Sequence, residues 1–361
     1  MRFSLLLASV LVAGSLSAHA GTPQQADGIR RSYEADFKAW VLKLHVAGSD
    51  AERKKVAEER PDATAAAKRM WAAIQPNLAE PWTVEPAAWL LKISAGLVAQ
   101  GENGMAKPLM GDAAIAIRAA VEKYHLTDKN LSPMCLALVA SPDPASLGLL
   151  EKIERGNPDK KVQGVAALGI AMLLKDLSDE PEVMRRRLTM LKKAIIESSD
   201  VEVNGVSVAK LAEDELYIIR FLSKGREAPD LTGSDSGGRP MKLSDYQGKT
   251  VVLLFWRSEE VGTEELCEMV KKIRTRFAAA KKPFEVVGVN RDPQASLRQL
   301  QASGLVDWPN FSDPDGKLTA EYRVGVWPLA YVLDGTRKIH YTGAMGSFVE
   351  LTASAVMSEK K

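Results

Sequence analysis

From residue 26 to 222 the apolar side chains recur at helical spacing. Tyr33, Phe37, Trp40, Val41 and Leu44 share one face. Val165, Leu168 and Met172, then Leu188, Leu191 and Ile195, then Ala212, Leu216 and Ile219 form further stripes. Recurrence every three to four residues marks an amphipathic helix, and such stripes are read here as core. Asp143-Pro144 predicts a helix start, with a capping carboxylate ahead of a proline at the first helical position. Asn157-Pro158-Asp159 breaks the chain and restarts it. Short helices separated by such breaks predict an all-α array of helical hairpins over residues 21–224.

Near Gly225 the pattern changes. Gly225-Arg-Glu-Ala-Pro-Asp230 and Thr232-Gly-Ser-Asp-Ser-Gly-Gly238 have linker and turn chemistry. Beyond them apolar strands alternate with helices. Strands are expected at Val251–Trp256, Phe284–Val289, Leu329–Leu333 and Lys338–Thr342, and helices at Gly262–Ala280, Gln294–Ser303, Leu318–Tyr322 and Phe348–Met357. The strand runs are apolar without alternation, which predicts an α/β sheet covered on both faces over residues 225–361.

The chain of 361 residues is long enough for two such domains. Its formal net charge is +2, so no field for a nucleic acid or an anionic membrane stands out. The first twenty residues read as a secretory signal peptide: Arg2, an apolar run from Leu5 to Ala13, and Ala18-His19-Ala20 as the cleavage signal. The expected product is exported, periplasmic or extracellular, with no stable membrane insertion after cleavage. Such compartments favour disulfides, yet Cys135 and Cys267 are the only cysteines and fall in different predicted domains, so no bridge between them is expected. His45, His125 and His340 have no metal-ligand spacing, and there is neither a phosphate-cradling glycine loop nor a nucleophile elbow; no cofactor and no metal are expected.

Five blocks of the C-terminal part, in order, carry a resemblance. They are Gly225-x-x-Ala-Pro-Asp230, Leu243-Ser-Asp-Tyr-x-Gly-Lys249, Phe255-Trp256, Lys282-Pro-Phe-Glu-Val-Val-Gly-Val-Asn290, and Trp327-Pro-Leu-Ala-Tyr-Val-Leu-Asp334. Residues 225–361 thereby resemble a thioredoxin-like domain of the redoxin/TlpA type, related to AhpC/TSA proteins. The whole chain resembles bacterial secreted proteins that join a helical domain to such a module, through His125-Leu, the region of Cys135 and Lys161-Val-Gln-Gly-Val-Ala-Ala-Leu. The helical part is loosely similar to HEAT or tetratricopeptide arrays, without a signature that names the repeat.

The resemblance implies a thiol–disulfide oxidoreductase with the loop Trp-x-x-Trp-Cys-x-x-Cys at a helix start, where backbone N–H groups and the helix dipole lower the first thiol's pKa. After Trp256 this chain departs from it. Glu259 stands at the second tryptophan, Glu260 at the attacking cysteine and Thr263 at the resolving one. A carboxylate suits the helix start but exchanges no electrons with a disulfide. Glu259, Glu260, Glu264, Glu265 and Glu268 are read as a solvated helix start rather than a metal site, and Ser312-Asp-Pro-Asp-Gly316 as a turn. The resemblance further implies a cis bond before Pro328, facing the loop. Two readings of Trp327 stay open: it caps the core, or with Trp256 and Glu260 it rims a groove that holds a protein or peptide partner without reacting with it.

Three readings of function stay open at this point: a redox-inactive binding or scaffold protein of the cell envelope; a divergent thiol oxidoreductase or peroxidase using Cys267, one turn further along the same helix; or an interaction protein working through its helices, capped by the C-terminal domain. Against the second, Cys267 lies amid Glu264, Glu265 and Glu268, which disfavour a thiolate.

Overall fold

The computed structural model describes residues 21–100, 105–140, 143–175, 180–203, 205–260 and 262–358. The expected export signal at residues 1–20 lies outside them. Among the described residues no helix is long and apolar enough to cross a membrane.

Among the described residues the N-terminal part has ten α-helices: α1 (Pro23–Val46), α2 (Asp50–Glu58), α3 (Ala63–Ile74), α4 (Val84–Ser94), α5 (Gly111–Ala120), α6 (Ser132–Ala137), α7 (Pro144–Gly156), α8 (Lys160–Lys175), α9 (Pro181–Ser198) and α10 (Val208–Tyr217). Their starts follow capping chemistry. Thr22 accepts from Gln25 N, Asp62 from Ala65 N and Asp143 from Ala145 N, each satisfying an N–H that the helix leaves unpaired. Consecutive helices pack in pairs, α3 on α4, α7 on α8, α8 on α9 and α9 on α10. Helix α8 is the centre, buried almost throughout from Val162 to Leu174. It approaches α9 closely at Gly164, where a β-carbon would fall 2.0 Å from Ser198 Oγ.

Two features differ from the sequence reading. Two small hairpins interrupt the helices, β1 (Val98–Gln100) with β2 (Ala106–Pro108), and β3 (Glu202–Val203) with β4 (Val206–Ser207). Strands of two or three residues carry too few positions for a periodic signal. The aromatic stripe of α1, expected as core, is not buried either. Ala26 is that helix's one buried residue, Tyr33, Phe37, Trp40 and Leu44 are half-buried, and Val41 is exposed.

The C-terminal part opens with a hairpin of β5 (Thr232–Ser234) and β6 (Pro240–Lys242), in the stretch expected to be linker and turn. A five-stranded sheet follows, made of β7 (Thr250–Trp256), β8 (Phe284–Asn290), β9 (Asn310–Ser312), β10 (Leu329–Leu333) and β11 (Ile339–Gly343). Its order is β11-β10-β7-β8-β9. Strands β7, β8 and β9 are parallel, and β10 runs antiparallel to β7 and to β11. The connecting helices are α11 (Thr263–Ala279), α12 (Gln294–Ala302), α13 (Lys317–Glu321) and α14 (Ser347–Ser358). This is a thioredoxin-like arrangement.

Strand β7 explains the unbroken apolar run. All seven residues are buried, and successive side chains point to opposite faces. Val252, Leu254 and Trp256 join the core under α11 and α14. Val251, Leu253 and Phe255 join the core on the other face, with Phe311, Tyr322 and Tyr331. Leu222 belongs to that second core, and Tyr217, Ile218 and Phe221 pack on it, so the last turn of the helical part rests on the sheet. Asp313 accepts from the backbone N–H groups of Leu318 and Thr319, which makes residues 312–316 a turn that caps α13.

Candidate functional site

Strand β7 delivers the chain to a tight loop, Arg257 to Gly262, before α11. Gly262 ends that loop with φ +90°, a backbone region that favours glycine, and α11 begins at Thr263 with no side-chain cap. The loop is anchored to the end of β8. Ser258 N donates to both carboxylate oxygens of Asp292, at 2.9 and 3.1 Å, and Asn290 Nδ2 donates to Asp292 Oδ2 at 2.9 Å. Arg291 N donates to Trp256 O at 3.1 Å.

The two positions that matter most have partners within the loop. The Glu260 carboxylate is ion-paired with the Arg257 guanidinium. Thr263 is buried, and its hydroxyl donates to the Glu260 carbonyl at 2.7 Å. Glu259 lies 3.1 Å from Arg257 Nη1 and 3.0 Å from His45 Nδ1 on α1. Lys54 Nζ on α2 donates to Glu265 Oε1 at 3.0 Å, a hydrogen bond that pulls the Glu265 carboxyl below its ordinary value. Glu268 takes Lys271 at 3.3 Å. The acidic helix start is thus held largely by cations of its own chain.

Across the loop, the Trp327–Pro328 peptide bond is cis. Trp327 is half-buried, with the Arg257 guanidinium 5.3 Å from its ring centre. Glu260, Thr263 and Pro328 line one small cavity of about 30 Å³ together with Trp256, Arg257, Gly262 and Leu266. That is room for about one or two water molecules. Trp256 departs from the sequence reading. It is wholly buried and its Nε1 donates to Asn310 Oδ1 at 2.8 Å, so it belongs to the core and cannot rim an open groove. Gly288 permits this arrangement, since a β-carbon there would fall 1.8 Å from Asn310 Oδ1 and 2.9 Å from Trp256 Nε1. The pairing of Asn310 with Trp256 escaped the sequence reading because β9 is three residues long and 54 residues distant.

Cys267 is wholly buried in the core between α11 and the sheet and does not line the cavity that Glu260 lines. Cys135 is buried among the N-terminal helices, and burial pushes its thiol up to about 12. Neither sulfur reaches the surface.

Residues 224–342 match the AhpC/TSA family. The chain is 30% identical over 130 residues to the chloroplastic peroxiredoxin Q of Oryza sativa subsp. japonica, a match spanning 33% of this chain and 58% of that protein. It is also 30% identical over 124 residues to the thiol-disulfide oxidoreductase ResA of Bacillus subtilis, spanning 33% of this chain and 65% of the relative. The chain thus spans less than two thirds of the length of these curated relatives. Among solved structures, the thioredoxin domain of a thiol-disulfide oxidoreductase from Bacteroides vulgatus is similar at 22% identity and a TM-score of 0.34, covering 37% of this chain and 98% of that one. The C-terminal part of this chain is a thioredoxin-like domain of the redoxin family.

Proposed function

We propose that this protein is a two-domain binding or scaffold protein, residues 21–224 and 225–361, whose thioredoxin-like domain has given up thiol–disulfide exchange. One observation carries the reading. At the start of α11, where exchange needs a thiolate, there is a carboxylate ion-paired with Arg257, which Glu259 shares. Exchange proceeds by attack of a thiolate on a disulfide sulfur, so access and thiolate character decide it. Glu260 supplies no sulfur and is ion-paired, the Thr263 hydroxyl is bound to a carbonyl, and Cys267 is wholly buried. What such a loop retains is a shaped polar surface beside Trp327 and the exposed Val326, which suits contact with a protein or peptide partner. The assignment to the bacterial cell envelope rests on the pattern of residues 1–20.

The test is direct. The mature chain, assayed for insulin disulfide reduction and for peroxide consumption, is expected to give background rates in both, unchanged by Cys267→Ser. A rate that Cys267→Ser abolishes overturns the reading.

A second reading is favoured by the relatives, whose names are those of thiol enzymes. It routes oxidoreductase or peroxidase chemistry through Cys267, and it requires α11 to open before that sulfur meets a substrate. The same pair of assays separates the two.

A further inference from the structure

A cavity of about 940 Å³ opens in the helical part, between α1, the start of α3, and α4. Its size is that of a small-molecule site. Its apolar wall is the stripe of α1 that the core leaves uncovered. Tyr33 and Phe37 stack at 6.0 Å between ring centres, and Trp89 of α4 meets Tyr33 edge-on at 5.8 Å. Ile93 continues that wall one turn along α4.

The wall carries three cations, Arg30, Arg60 and Lys92, and four carboxylates, Glu34, Asp62, Glu85 and Glu202, so its formal charge is slightly negative and any attraction for an anion is local to the cations without a carboxylate partner. Arg30 pairs with Asp27 at 2.8 Å and with Glu85 at 3.2 Å. Glu34 accepts from Trp89 Nε1 at 3.0 Å, and Asp62 caps α3. Arg60 lies over the rings of Phe37 and Trp40, at 5.8 and 5.5 Å, and has no carboxylate partner among the described residues. Lys92 has none either, although it is half-buried on α4, and burial pulls its ammonium below the ordinary lysine value. A cation taken partly out of water with no counter-charge is costly, and an anion brought into the cavity offsets that cost. The remaining acid on the wall, Glu202, is exposed.

We propose that this cavity binds a monocarboxylate with an apolar body, the body against Tyr33, Phe37 and Trp89 and the carboxylate on Lys92, with Arg60 at the rim. A single negative charge fits better than a polyanion, because Glu34 and Glu85 stand on the same wall. The proposal is independent of the reading of the C-terminal domain, since none of these residues belongs to it.

The probe is dodecanoate, titrated into the mature full chain by calorimetry below its micelle concentration, with dodecan-1-ol as the uncharged control. One equivalent of dodecanoate is expected to bind with a Kd tighter than about 100 μM. Lys92→Met is expected to weaken dodecanoate by about tenfold or more and to leave dodecanol as it was, and Lys92→Arg to restore most of the loss. Phe37→Ser, at a half-buried position, weakens both ligands, and the far-UV spectrum of each variant checks that it folds. The proposal is overturned if dodecanoate does not bind, if Lys92→Met binds it as tightly as the parent, or if several equivalents bind without response to Phe37→Ser.

Discussion

The start of α11 and the wall of α4 differ about thirty-fold in the space they offer, about 30 Å³ against about 940 Å³. At α11 the polar groups have turned on one another: Glu260 on Arg257, Thr263 on the Glu260 carbonyl, Ser258 on Asp292. At α4 the Trp89 ring meets Tyr33 edge-on along an uncovered wall, and Lys92 lines the opening with no carboxylate partner among the described residues. The place with a family pattern therefore has almost no room, and the place with room has no family pattern. Sequence motifs mark where chemistry was built into a fold, whereas free volume reports what side chains leave uncovered, and here the two have parted.

Restoring the sulfurs is the strongest way to break this comparison. Glu260→Cys with Thr263→Cys removes the Arg257 pair and puts two thiols at the helix start, where the dipole favours a thiolate. Insulin reductase activity is expected to rise from background by about tenfold or more, with a disulfide between positions 260 and 263 detectable by mass spectrometry. A variant that folds but never forms that disulfide shows that the two positions are wrongly assigned.

A smaller effect is expected from crowding the core beneath the loop. Gly288→Ala forces a β-carbon onto Asn310 and Trp256 and breaks a buried hydrogen bond. Urea denaturation is expected to show a loss of about 1–3 kcal/mol, while dodecanoate binding to the helical part is unchanged. Equal stability would mean that the Trp256–Asn310 contact does not shape this face of the sheet.

The smallest effect is a slope against pH. Burial alone would raise the Asp334 carboxyl, but hydrogen bonds from Thr336, His340 and Lys338 outweigh it and hold the group at about 2, against an ordinary 3.8. Folding therefore favours the ionised form. Its stabilisation is complete above about pH 4 and is lost as the pH falls towards about 2. Asp334→Asn is expected to flatten the stability profile in that window and to leave the profile above about pH 6 without a slope from this group.

Much of the C-terminal part was legible because its signals are local and long. The apolar runs Val251–Trp256 and Phe284–Val289 read as strands covered on both faces, and in the N-terminal part Asp143-Pro144 read as a helix start. The first strand and turn of the β5–β6 hairpin fall in a Gly- and Ser-rich stretch that reads as linker, and strands of three residues carry no periodic signal against that reading. The α1 stripe shows the other limit. Periodicity identifies which face of a helix is apolar, but not whether anything covers that face. At the loop, the residue types at 260 and 263 were readable, whereas the pairing of Glu260 with Arg257 is a side-chain geometry no pattern specifies, and the depth of Trp256 depends on packing against Asn310, far along the chain.

The contacts of His45 with Glu259 and of Lys54 with Glu265 place the tip of the first helical hairpin at the approach to the loop. Both contacts are solvent-exposed, and the Lys54–Glu265 ion pair is individually weak and screened by salt. That corner of the loop is therefore shared between the two parts of the chain, and rising ionic strength loosens the Lys54–Glu265 tie between them.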